Sequence, residues 1–334
     1  MTGRDVRQRT ERSVATGESV AIAAGPAGRG AGGGFPSVGS GSALGSILLP
    51  LLPLLPLAVF LAVFFFIPAL RLMWSSLLTQ NAQGIIGAPM TFGHFLHFLR
   101  VPLYAKVLWT TLWIALVTGI LAAVLGFPVA LVIARKGAWI GRIVTLVVIA
   151  PLIVSVVVRS YGWQLILSNG PTGVLNWFLL RIGLIKEPIA LLYTNTAVII
   201  GSLHVFFAMM VLPLASAISR IDPNVESAAA TLGAPWWQVL IRVTLPLSLP
   251  GLIAGFTLVF TLTAGSFVTP ALLGGTASQM LGNLIQQQII TVYDWPFGAA
   301  IATVLTVIVM FANFGSMNIL GRLSRLNRPQ RGAR

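Results

Sequence analysis

Six stretches of this chain are long and apolar enough to cross hydrocarbon, and that constrains its fold more than any other feature. A helix spanning about 30 Å at 1.5 Å per residue needs about 20 apolar residues in succession. Residues 47–70, 107–134, 143–165, 191–218, 248–272 and 297–320 meet that length within a few residues. Charged side chains make up 8% of the 334 residues and hydrophobic ones 56%, whereas a soluble domain carries about 25% charge. The expected fold is an all-α membrane protein with six transmembrane helices occupying residues 47–320. The third stretch is the weakest, because its strictly apolar part ends at Val158 and Arg159 must snorkel or find a partner. Pro50, Pro53 and Pro56 predict an irregular start to the first.

Residues 1–46 differ from the rest, with nine glycines between Gly25 and Ser46 and little that could form a core, and read as a flexible tail. The apolar run behind them is too long for a cleaved signal core, so the tail is expected to stay attached. A second, basic tail covers residues 321–334. Six spans put both termini on one side, and the positive-inside rule selects the cytoplasm. The inner segments then hold 15 basic residues, including Arg135, Lys136, Arg142, Arg220 and Arg242, and the outer loops hold six. Trp74, Trp109, Trp139, Trp163, Trp177 and Trp295 fall near predicted span ends, as interfacial indoles do.

The net charge of +14 arises from 21 basic residues against seven acidic ones. Beside a span, the Arg322–Arg334 cluster reads as an orienting anchor for anionic membrane lipid and not as a nucleic-acid site. The chain has no cysteine, which excludes disulfides, thiol catalysis and cysteine-ligated metals. A phosphate-cradling Gly-x-x-x-x-Gly-Lys-Ser/Thr loop is also excluded, since the three lysines, Lys106, Lys136 and Lys186, follow Ala, Arg and Ile. The glycines at 28–34 are therefore linker.

Between the fourth and fifth stretches, Asp222 precedes Pro223 as a helix N-cap with proline at the first helical position, and Ala228–Ala230 favour helix. Gly233 can end that helix in a left-handed turn; Pro235 opens a second short helix carrying Trp236 and Trp237, which Pro246 is expected to stop. The result is a helix–Gly–helix elbow at the cytoplasmic surface. The small side chains of its first helix would let another protein approach the backbone closely.

This loop resembles that of the membrane-spanning permease subunits of binding-protein-dependent ABC importers. Their signature reads Glu-Ala-Ala, three residues, Gly, nine residues, Ile, one residue, Leu-Pro. The chain supplies Ala228, Ala229, Gly233, Val243, Leu245 and Pro246 in register, with Val for Ile. Ser227 stands at the signature Glu position, and Glu226 lies one residue earlier, so any ion pair from that Glu would be weaker, shifted or absent. The stretches Val158-Arg159-Ser160-Tyr161-Gly162-Trp163 with Asn169-Gly170, and Tyr293-Asp294-Trp295-Pro296-Phe297-Gly298-Ala299-Ala300, are similar to polyamine-type (spermidine/putrescine) permeases.

The resemblance implies an inner-membrane permease that performs no bond chemistry and binds no cofactor itself. Its implied partners are a second permease, two ATPase subunits that use ATP and Mg, and an extracytoplasmic solute-binding protein. Glu226, Ser227, Ala228, Ala229, Gly233, Pro235, Leu245 and Pro246 are the expected ATPase-coupling loop. Polyamine is the solute implied, other small organic solutes being the alternative.

Several polar residues have two readings. His94 and His97 have one-face helical spacing but no nearby third ligand, and read as solvated or interfacial. His204, inside the fourth stretch, suits a helix–helix hydrogen bond or a place on the solute path. Arg159, with Tyr161 and Trp163, reads as a snorkelling anchor or a path residue. Asp294, between Tyr293 and Trp295, suits either a helix N-cap or attraction of an organic cation by charge and cation–π contact. Against a polycation, the predicted outer loops carry six basic residues and only Glu187 and Asp294 as acids. Gly251 and Gly255 form a small-xxx-small pair that permits close helix approach. An ion-coupled carrier would want acids within its spans, and a membrane-embedded hydrolase would need a Ser–His pair or clustered His and carboxylates. No predicted span contains Asp or Glu, and His204 stands alone.

Overall fold

The computed structural model describes residues 54–326 except Ala82 and Ala277, with side chains as far as residue 318. The expected tail 1–46, the first residues of the first span and the distal C-terminal tail lie outside the described residues. Two units divide the chain, Met1–Val59 and Phe60–Arg334; of the first, only residues 54–59 are described.

Among the described residues, five helices are long and apolar enough to cross a membrane: α1 (Leu55–Ser75), α3 (Pro102–Arg135), α7 (Asn195–Ser219), α9 (Trp236–Ala264) and the last, α12, whose candidate span is Trp295–Asn318 within Trp295–Leu326. A sixth is reached only by counting α4 (Ala138–Ile153) and α5 (Val156–Ile166) as one broken span. Shorter helices are α2 (Gly93–Arg100), α6 (Val174–Arg181), α8 (Pro223–Thr231), α10 (Val268–Leu273) and α11 (Leu281–Gln286). A two-residue antiparallel pair, β1 (Thr79–Gln80) and β2 (Ile86–Gly87), follows α1, with Thr79 opposite Gly87.

The centre is α3, α7 and α9, which pack most extensively on one another. Lipid is as apolar as a leucine side chain, so helices meet there by close van der Waals contact between small residues. The buried stripe of α3 runs Ala115, Thr118, Gly119, Ala122, Gly126 and Ala130. The Gly251–Gly255 pair works as expected: both are buried, and a side chain at Gly255 would stand 2.9 Å from the Met210 carbonyl oxygen of α7.

Four expectations need correction. The third stretch is not a straight span. Val154 and Ser155 are extended, and α4 meets α5 at 99°. Beyond that corner α5 carries Arg159, Ser160, Gln164 and Trp163, groups a lipid-facing helix could not leave unpaired. The fourth span starts at Asn195, not 191, because Tyr193 takes φ 67° and the Thr194 hydroxyl caps the helix by accepting from Ala197 N at 3.4 Å. The fifth ends at Ala264, and 268–273 form the separate α10. Finally, Pro246 does not stop the elbow's second helix, which runs into the fifth span as α9 through a wide π segment, Leu240–Thr244. Proline lacks an N–H and clashes with the carbonyl four residues back, and one wider turn moves that carbonyl aside. The same device, Ala62–Phe66, precedes Pro68 in α1.

The Gly255→Val variant should lose about 1–3 kcal/mol through overpacking against the α7 backbone. Gly315→Ala, where an added Cβ meets nothing within 4 Å in the interior of α12, should leave stability unchanged or raise it by up to about 1 kcal/mol. Thermal unfolding of both in detergent checks this, and equal melting temperatures would contradict the packing.

Candidate functional site

The elbow is built as its sequence demands. Asp222 caps α8, its carboxylate accepting from Asn224 N at 2.9 Å, with Pro223 in the first turn. Helix α8 ends at Gly233, whose φ of +85° is the left-handed region where only glycine is unstrained. Nothing lies within 4 Å of where a Cβ would stand there, so the residue is required by its backbone and not by crowding within the chain. Pro235 then caps α9. Ser227, Ala228 and Gly233 are exposed, Ala229 is half-buried, and the Ser227 hydroxyl is turned back onto the Pro223 carbonyl at 3.1 Å. Leu232 and Trp236 crown the elbow at 89% and 78% exposure. Leu245 and Pro246 lie just beyond the π segment, half-buried and exposed.

Glu226 was expected to make at most a weakened or shifted ion pair, and the structure shows a shifted one, within the chain. Its Oε1 lies 2.8 Å from Arg135 Nη2 at the end of α3. The same oxygen accepts from the Thr244 hydroxyl at 3.0 Å, and both Arg135 Nη atoms donate to the Ile221 carbonyl at 3.2 Å. Neither Arg135 as a partner nor Thr244 was legible in sequence, since they lie 91 and 18 residues from Glu226.

The expected path residues form two groups. In the first, Trp163 of α5 donates its indole N–H to His204 Nδ1 of α7 at 3.0 Å, and Arg159 Nη1 reaches the Val205 carbonyl at 3.5 Å. His204 thus makes the expected helix–helix bond, and Trp163, expected to mark a span end, is its donor. Arg159 finds a backbone partner, while Tyr161 on the same helix is 53% exposed.

The second group sits at the start of α12. Asp294 is an N-cap, its Oδ1 accepting from Phe297 N at 3.0 Å. Tyr293 takes the left-handed conformation at φ 62°. A residue that sequence reading missed, Gln80 of β1, brackets this turn: its Nε2 donates to the Tyr293 carbonyl at 2.9 Å and its Oε1 accepts from Trp295 N at 3.2 Å. Beside the turn is a cavity of about 390 Å³ lined by Tyr104, Thr276, Gln279, Asn283, Gln287 and Gln288. No hydrogen bond or ion pair joins the two groups among the described residues.

His94 and His97 serve packing. His94 Nε2 lies 3.0 Å from the Leu78 carbonyl, and the His97 ring stands edge-on to Phe297 at 5.2 Å. Among the described residues no cluster of His, Cys, Asp or Glu is of metal-holding size.

A bundle of apolar helices whose polar groups gather at helix ends and between helices is a multi-pass membrane protein. Residues 115–328 match the family described as binding-protein-dependent transport system inner membrane component, and the chain belongs to that family. It is 36% identical over 245 residues to the spermidine/putrescine transport system permease protein PotB of Escherichia coli, covering 73% of this chain and 88% of that protein. PotB of Haemophilus influenzae is 34% identical over 72% of this chain and 84% of its own length. In fold, the chain is similar to one from a bacterial alginate ABC transporter in complex with alginate pentasaccharide-bound periplasmic protein. There the TM-score is 0.63 at 21% identity, covering 83% of this chain and 96% of the other.

A double-mutant cycle of Trp163→Phe and His204→Leu should give a coupling of about 0.6–1.7 kcal/mol, the range for one hydrogen bond between membrane helices. Chemical unfolding in mixed micelles measures it, and additive effects would show that the indole bond contributes nothing.

Proposed function

We propose that this chain is the permease subunit of an ATP-driven importer for a polyamine of the spermidine/putrescine type. It is multi-pass in the inner membrane with both termini and the elbow in the cytoplasm. The observation that carries the coupling role is the elbow itself: a capped helix, a left-handed glycine and two nearly bare apolar side chains, Leu232 and Trp236, at a helix corner. Such side chains outside the hydrocarbon invite a protein partner. Two separate ATPase subunits would grip this corner and use ATP and Mg. A second permease would complete the path, and a soluble binding protein would deliver solute at the Asp294 end. The chain itself would bind no cofactor. Residues 47–320 are read as the transmembrane domain, with tails on either side.

The polyamine assignment is supported by PotB of both bacteria, which carry that solute in their names, and by an acid between two aromatics. Capping occupies one oxygen of Asp294, Oδ1, so a cap and a cation site are compatible in one residue.

Two experiments test this reading. Asparagine caps helices about as well as aspartate, so Asp294→Asn removes charge and keeps the cap. With a polyamine as solute, uptake into vesicles should fall about tenfold, equivalent to about 1.4 kcal/mol, while binding-protein affinity stays constant. Unchanged uptake would leave Asp294 as a cap alone, and absence of polyamine uptake by the native permease would refute the solute. Gly233→Val should fold and insert normally yet lose ATPase association and uptake, because a branched side chain resists that turn and crowds the docking surface. Single cysteines at 276, where Thr276 is exposed, and 330 test orientation with an impermeant thiol reagent on intact cells: 276 should label and 330 should not.

A further inference from the structure

Only one ion pair exists among the described residues, and it lies where three spans meet the elbow. Glu226 projects from α8, Arg135 ends α3, Thr244 closes the π segment at the head of α9, and Ile221 follows the end of α7. The four are joined through one carboxylate oxygen and one guanidinium, with contacts of 2.8, 3.0 and 3.2 Å. Thr244 is 2% exposed, and the Arg135 and Glu226 side chains are each 22% exposed. A charge-assisted bond at that depth is shorter and stronger than a neutral one, and removing one partner strands the other. The carboxylate that stands one residue before the expected position therefore turns inward onto its own chain. The position it vacates holds Ser227, whose hydroxyl is spent on the α8 backbone.

We infer that Arg135, Glu226 and Thr244 form a rigid joint that makes the elbow move as one body with the ends of the second and fifth spans. Glu226 acts as a positioning residue within the permease and is not a contact for the ATPase. This rests on the reading of the elbow as the ATPase-coupling element. A push on Leu232 then reaches α3 through the guanidinium and α9 through the threonine, while Trp236 stands on α9 itself. Without the joint, α8 would pivot about Asp222 and Gly233, and the push would be absorbed in the loop.

The test uses the full complex of permeases, ATPases and binding protein in proteoliposomes. Arg135→Gln should retain the ATPase subunits on affinity purification yet move about tenfold less solute per ATP hydrolysed. Thr244→Val should do the same more mildly, and the exchange Arg135→Glu with Glu226→Arg should recover part of the loss. A merely structural role would lower uptake and ATP hydrolysis in proportion and leave their ratio unchanged, which would overturn the inference. Loss of ATPase binding by Glu226→Gln, with none by Arg135→Gln, would also overturn it by making Glu226 a direct contact. Independently of the variants' folding, spin labels at Ala230→Cys and Leu125→Cys should report one narrow distance that is the same in nucleotide-free and vanadate-trapped complexes. A shift between those states would show that the joint opens. A complex that hydrolyses ATP but takes up no polyamine would refute the solute assignment and leave the distance test standing, whereas a chain that recruits no ATPase would refute the elbow reading and this inference with it.

Discussion

The close approach of α3, α7 and α9 is the contact on which the rest of the molecule hangs. In water, apolar helices are driven together by the solvent, but in hydrocarbon that force vanishes, and close packing and interhelical hydrogen bonds take its place. Gly119 leaves room for the Phe256 ring of α9, Gly126 for Met210 and Val211 of α7, and Gly255 for the α7 backbone. Helix α7 is thereby held on both sides, and two of the polar contacts described above attach to its end and its flank. Ile221, which receives Arg135, lies two residues past its C-terminus. His204, which receives Trp163, is on its flank. The corner helix α5 owes its place in part to that bond, because nothing in its own sequence would keep Arg159 and Gln164 next to lipid.

Proline supplies a second constraint. Pro68 and Pro246 each sit just beyond a π segment, and at both places the helix continues past the proline. The consequence differs at the two places. In α1 the device keeps an exposed apolar helix continuous. In α9 it makes the elbow's second half and the fifth span a single rod, with Thr244 buried at the join. A sharp stop at Pro246 would have left the elbow hinged to the span, and the continuous rod ties them together.

Features carried by local chemistry were legible in the sequence. Apolar length located the spans, Asp222-Pro223 marked the start of α8, and Gly233 needed no partner to reveal its turn. The corner at Val154–Ser155 was only half visible: the polarity beyond Val158 weakened the span, but a right-angle bend depends on what α5 packs against. Arg135, Thr244 and Gln80 were invisible as site residues because their partners are brought to them by the fold. The displaced glutamate is visible in the sequence as a departure from a pattern. Its meaning required knowing that a guanidinium waits at the end of α3.

Beyond residue 19 the chain has only four acids, and their placement bears on how a cation could cross. Asp222 and Asp294 cap helices, Glu226 is neutralised by Arg135, and Glu187 is exposed in the loop after α6. All four sit outside the hydrocarbon stretches, so the interior of this subunit presents hydroxyls, carboxamides, His204 and the cation Arg159. A lone positive side chain there repels a polyamine, and its guanidinium finds a backbone carbonyl 3.5 Å away and no acid among the described residues. A path for a cation built from this chain alone would therefore be electrostatically uphill at Arg159. Any charge that compensates it comes from outside the described residues.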